Sequence, residues 1–135
     1  MNATTRRAIS LIGIVALGIL SRLLPVGNVL FDKYLGDALY AAMLFELVLL
    51  ARPRLSPWRA AALAFGLVCL IELFQLTNIP LALRDQGNPL LRTLAVVLGM
   101  KFDIIDIIFY AAGIAGFLAP ELYGRWRSGA PDSAG

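Results

Sequence analysis

Histidine is absent from the 135 residues, and cysteine occurs once, as Cys69. The first absence excludes Ser-His-Asp and Cys-His catalysis and histidine-rich metal centres. The second excludes an intrachain disulfide and a cysteine-based zinc cluster. Charge is also scarce: Asp, Glu, Lys and Arg make up 16% of the chain, against about 25% in an average soluble protein. The net charge of +3 is scattered, so the basic stripe of a nucleic-acid binder is missing and no nucleic-acid partner is expected. What is abundant is apolar, 59% of all residues, which is the balance of a membrane protein whose partner is the lipid bilayer. Carboxylates, Lys, Arg, Tyr, Ser and Thr are the only side chains left for chemistry.

Four apolar runs stand out, about 8–24, 35–51, 60–76 and 102–119. Each is about 17 residues, the short end of what a hydrocarbon core of roughly 30 Å requires. The first follows Arg6 and Arg7 and has two readings. A cleaved signal peptide would place a weak cleavage site at Ala16-Leu17-Gly18, whereas the membrane-like character of the remaining chain favours an uncleaved spanning helix. Arg52-Pro53-Arg54 stops the second run, and Trp58 with Arg59, like Tyr123 with Trp126, reads as an interfacial anchor. Asn88-Pro89 opens a short segment, 90–100, which is either a re-entrant or interfacial helix or a continuation into the fourth span. The expectation is an all-α integral membrane bundle of four spanning helices plus one short re-entrant or interfacial helix. It forms a single transmembrane domain over 1–127, followed by a disordered tail over 128–135.

Seven basic residues lie on the side of the N-terminus (Arg6, Arg7, Arg52, Arg54, Arg59, Arg125, Arg127) and five on the other (Arg22, Lys33, Arg84, Arg92, Lys101). Both termini are therefore expected in the cytoplasm. Alternation of the spans brings Asp37, Glu72, Gln75, Asp103 and Asp106 to one level, at or just inside the outer leaflet, with Arg92 and Lys101 on the same side. Asp103, Asp106, Tyr110, Gly113 and Phe117 recur every three or four residues and share a helix face. Gly113 and Gly116, with Ala111, Ala112 and Ala115, form a small-residue surface that permits close helix approach and a homodimer.

Ionised groups within a bilayer cost about 3 kcal/mol near its centre and less toward the interface, so these residues are functional candidates. Asp37 and Asp103 have a second reading, as helix-start acids that complement the dipole. Glu46, on the other half of the second span, is expected to be protonated or to reach toward Arg52. Tyr110 reads as a packed hydroxyl donor and Cys69 as a small hydrophobe.

The order Gly36-Asp37, Glu72-Leu73-Phe74-Gln75-Leu76, Arg92, then Leu98-Gly99-Met100-Lys101-Phe102-Asp103 with Asp106, Tyr110 and Gly113 resembles a family of small bacterial membrane proteins, domain of unknown function 2809. That family is similar in turn to VanZ-like proteins. The resemblance covers about residues 30–118 and implies a multi-pass protein of the bacterial plasma (inner) membrane, with a loose link to teicoplanin resistance and the cell envelope. VanZ-like proteins carry Asp-Lys-x-x-His; Asp32-Lys33 is present here without the histidine, so no role of that histidine carries over.

The leading expectation is a non-enzymatic or lipid-handling protein. Its outer-leaflet pocket binds the head group of an envelope lipid or glycolipid through Asp37, Glu72, Gln75, Arg92, Lys101, Asp103, Asp106 and Tyr110, with Arg92 and Lys101 as anion donors. No cofactor and no dedicated metal site are expected. The alternatives are a lipid-modifying enzyme using Asp103 and Asp106 or Glu72 as acid and base or as ligands of a hard cation, a small proton-coupled carrier, and a purely structural or interaction membrane protein.

Overall fold

The computed structural model describes residues 2–98 and 103–129. Among them all regular structure is helical: α1 (Ala3–Leu23), a π-helical turn (Leu30–Tyr34) running directly into α2 (Leu35–Ala51), α3 (Pro57–Gln75), α4 (Ile79–Arg84), α5 (Pro89–Leu98) and α6 (Ile104–Arg127). Four helices, taking the π turn together with α2, are long and apolar enough to cross a membrane. The protein is an all-α membrane bundle, as the apolar runs lead one to expect.

The spans are longer than those runs. α1 starts at Ala3 because the Asn2 side chain caps it, accepting from Thr5 N at 2.7 Å. A helix does not need apolar residues to propagate once its first turn is satisfied. The second span begins at Leu30, where Asn28 Oδ1 accepts from Leu30 N at 2.9 Å. Asp32 meanwhile holds the preceding turn by accepting from Val26 N and Gly27 N at 2.8 and 3.0 Å. α3 has a Ser56 cap followed by Pro57 at its first position, where the missing N–H costs nothing. α6 continues through Pro120 to Arg127. The proline takes away only the donor for the Gly116 carbonyl, and the rest of the ladder carries the helix on.

Two short helices lie between α3 and α6 where the sequence suggests one. α4 escapes notice because it has six residues and starts beside Thr77-Asn78 and Pro80, which read as a loop. Asn78 adopts the left-handed conformation, φ 57°, that turns the chain out of α3. α5 is not a continuation of α6: Asp103 is extended (φ −140°, ψ 119°) and caps α6 afresh, Oδ1 accepting from Ile105 N at 3.0 Å. The tail over 130–135 lies outside the described residues.

α2 is the central element, packed against α1, α3 and α6, while α3 also packs on α6. Its apolar residues surround it on all sides, as burial among three neighbours requires. Ala41, Phe45 and Leu49 of α2 meet Ala60, Ala61, Ala64 and Val68 of α3 and Tyr110, Ile114 and Leu118 of α6 in one core cluster. The alanines of α3 bring its backbone close, and Phe45 fills the space they leave. Gly113 allows the closest approach of α2 and α6, since a Cβ there would stand 2.0 Å from the Ala38 carbonyl oxygen. Gly113 is thus used inside the protomer, while Ala111, Ala112, Ala115 and Gly116 stay exposed. Tyr34 stacks on Phe109, centroids 4.3 Å apart, fixing the head of α2 on α6.

α1 contributes nothing to that core cluster. It lies along α2 and is tied to α6 near its own N-terminus, where Arg7 Nη2 and Arg6 Nη2 donate to Glu121 Oε1 and Oε2 at 2.6 and 2.8 Å. Arg7 is buried and also donates to the Leu49 carbonyl at 3.2 Å. Glu46 faces this end and accepts from Ser10 at 3.2 Å, so its partner is a hydroxyl of α1 and not Arg52. Arg52 sits beyond the end of α2, out of the helix face that Glu46 occupies.

Candidate functional site: an amphipathic cavity between α1 and the core

At the opposite end from the Arg7–Glu121 tie, a half-open cavity of about 650 Å³ separates α1 from α3 and α6. Its size suits a small molecule or a large part of a lipid. One wall is apolar: Ile14, Val15, Ile19 and Leu23 of α1, Leu39 and Met43 of α2, Ile71 of α3 and Val96 of α5. The facing surface is polar, with Lys33, Asp37, Glu72, Gln75, Asp106 and Tyr110, and Arg22 stands on α1 at the same level.

The polar surface is made by helix ends that meet at one level. Glu72 and Gln75 come from the last turn of α3 and are buried, Glu72 to 1% exposure. Glu72 Oε1 accepts from the Tyr110 hydroxyl at 2.5 Å and from Gln75 Nε2 at 3.4 Å. Asp106, in the first turn of α6 and 5% exposed, meets Lys33 Nζ at 2.8 Å. The same ammonium lies 2.8 Å from Asp103 Oδ2. One lysine therefore bridges two carboxylates three residues apart. Charge-assisted bonds of this kind are the strong ones where water is scarce. Asp37 lines the cavity one helical turn after Lys33, and its Oδ2 has no hydrogen-bond partner among the described residues.

The structure brings Asp37, Glu72, Gln75, Asp106 and Tyr110 together around this space. Asp103 stands behind them as the α6 cap and second partner of Lys33, so its helix-start role is real. Asp37 has no such role, because the helical turn that precedes α2 already satisfies its first amides. Arg92 is exposed on α5 and is not part of the cavity lining; α5 reaches the cavity one turn later, through Val96. Asp103 pairs with Lys33. Lys101 lies outside the described residues. Lys33 and Arg22 were not among the expected ligand-binding residues. Lys33 carries a legible signal, four residues before Asp37 at a helix head; Arg22, on the first span, carries none. Among the described residues no three His, Cys, Asp or Glu side chains converge to hold a metal ion.

No curated protein and no solved structure matches the chain. The family described as "Protein of unknown function (DUF2809)" matches residues 26–114, which carry the head of α2, the Glu72–Gln75 turn, α5 and the Asp103–Asp106–Tyr110 face. That match takes in well over half of the sequence and every element of the polar surface except Arg22, and the chain accordingly belongs to the DUF2809 family.

Proposed function

We propose that this protein is a multi-pass protein of the bacterial plasma membrane that binds a cell-envelope amphiphile, its polar head against the Asp37–Glu72–Asp106 surface and its apolar part along α1. The observation that carries this reading is the cavity itself. Three acidic side chains, two of them at most 5% exposed, border a space whose opposite wall is aliphatic. Carboxylates at this depth destabilise an apolar bundle unless they are paired or have work to do. An amphiphile matches both walls at once. The resemblance to VanZ-like proteins, with their link to the cell envelope, supports the choice of ligand class. The excess of Lys and Arg beside the termini supports cytoplasmic ends and a cavity in the outer leaflet.

The test is lipid mass spectrometry on the purified protein and on a cavity-filling variant. Gly18 lines the cavity, and a Cβ there meets nothing within 4 Å, so Gly18→Trp fills the space without forcing helices apart. Ile12→Trp, on the exposed side of α1, is the control. The wild type and Ile12→Trp should share one enriched lipid species that Gly18→Trp loses. Equal, bulk-like lipid in all three would overturn the reading.

A further inference from the structure

Charges of both signs border the polar end of the cavity, and they differ in commitment. Lys33 is held between Asp103 and Asp106, 2.8 Å from each. Arg22 lines the cavity yet makes no ion pair or hydrogen bond from its side chain among the described residues, and it lies over Gly36, whose added Cβ would be 3.6 Å from Nη2. On the other side, Asp37 Oδ2 has no hydrogen-bond partner among the described residues, while Glu72 is an acidic group held by Tyr110, Gln75 and the Asp103 backbone. Buried carboxylate oxygens without donors are costly. Asp37 and Glu72 line the same space as this guanidinium, which has no ion-pair partner of its own among the described residues.

A purely anionic head would satisfy Arg22 and be repelled by Asp37 and Glu72. A purely cationic head would do the reverse. A head that carries a phosphate and an amine satisfies all three groups, provided the amine has hydrogens to donate. A quaternary ammonium has none, so it leaves Asp37 Oδ2 without a donor. The aliphatic wall beside Arg22, Ile19 and Leu23, continues where acyl chains would leave the head. Resting on the amphiphile reading above, we infer that the cavity selects a phospholipid with a primary-amine zwitterionic head, its phosphate on Arg22 and its ammonium between Asp37 and Glu72.

Native mass spectrometry of the detergent-solubilised full chain tests this with dioctanoyl phosphatidylethanolamine, phosphatidylcholine and phosphatidylglycerol as probes. The ethanolamine lipid should bind about tenfold tighter than the other two, the size of one charge-assisted hydrogen bond. Arg22→Gln should weaken all three phospholipids. Asp37→Asn and Glu72→Gln should each bring the ethanolamine lipid toward the choline lipid. Melting temperatures of the variants identify any that misfold, and the isosteric Asp37→Asn carries the test if Glu72→Gln does. Soluble phosphoethanolamine should compete only at far higher concentration than the lipid; equal potency would overturn the lipid assignment. Wild-type binding that Gly18→Trp abolishes but that ignores the head group would overturn this inference and leave the amphiphile reading standing. Binding that Gly18→Trp leaves untouched would overturn both.

Discussion

Tyr110 of α6 and Glu72 of α3 are joined by a 2.5 Å hydrogen bond, hydroxyl to Oε1, at the boundary between the core cluster and the cavity. The ring of Tyr110 packs with Ile114 and Phe45 in the core. Its hydroxyl donates to Oε1 of the nearly inaccessible Glu72. The same side chain thus belongs to both the packing and the polar surface.

Tyr110→Phe keeps the ring and removes the donor. The expected loss is about 1–2 kcal/mol of stability, above the roughly 0.6 kcal/mol average for interhelical hydrogen bonds in membranes, because the acceptor here is a buried carboxyl group. Unfolding by denaturing detergent measures it. Combining Tyr110→Phe with Glu72→Gln should cost less than the sum of the two single changes, and simple additivity would show that the bond contributes nothing.

Lys33→Met strands two carboxylates at once. Removing one partner of a fully buried pair costs about 3–5 kcal/mol, but the Lys33 side chain is 43% exposed, so about 1–3 kcal/mol is expected here. Adding Asp106→Asn should recover part of that loss. A double variant less stable than Lys33→Met would rule out the ion pair as its cause.

The two arginines on Glu121 should behave differently. Arg6, 56% exposed at its side chain, is expected to contribute at most about 1 kcal/mol, as exposed pairs do. Arg7 is buried and also serves the Leu49 carbonyl, so Arg7→Ala should cost about 2 kcal/mol or more. Equal melting temperatures for the two variants would show that burial of the guanidinium is irrelevant.

Gly113 and Gly116 give an internal control on α6. A Cβ at Gly113 would overlap the Ala38 carbonyl oxygen, so Gly113→Ala must separate α2 from α6 and should be among the most damaging single-methyl changes, about 3 kcal/mol or more. At Gly116 a Cβ meets nothing within 4 Å, so Gly116→Ala should be neutral or stabilising by up to about 1 kcal/mol through helix propensity. Guanidine-free thermal melts in one detergent compare the pair directly.

Much of this architecture is legible in the sequence because apolar runs interrupted by proline and charge mark membrane spans. Helix alternation then puts the acids of α2, α3 and α6 at one level. The ends of the spans are not legible that way. Asn2, Asn28 and Ser56 extend helices beyond the apolar residues by capping them, and hydropathy does not register a cap. Partner choice is equally hidden. Arg92 and Lys33 are both placed near these acids by the alternation of the spans, yet it is the head of α2, set by the π turn and the Tyr34–Phe109 stack, that brings Lys33 to Asp103 and Asp106. Arg22 enters the cavity wall because α1 lies along α2, a fact of three-dimensional packing with no local sequence signature.

The separation of α1 from the core cluster divides the cavity into parts of unequal mechanical standing. Its floor, from α2, α3 and α6, is continuous with the core cluster through Tyr110, so changes of shape there disturb the packing. Much of its wall comes from α1, which lies along α2 but outside that core cluster and is tied to α6 at the far end by Glu121. Substitutions at the exposed wall positions Val15, Ile19 and Leu23 reshape the entrance while the floor keeps its charges. On the amphiphile reading, the contacts to the head and the contacts to the tail are set by different elements of the fold.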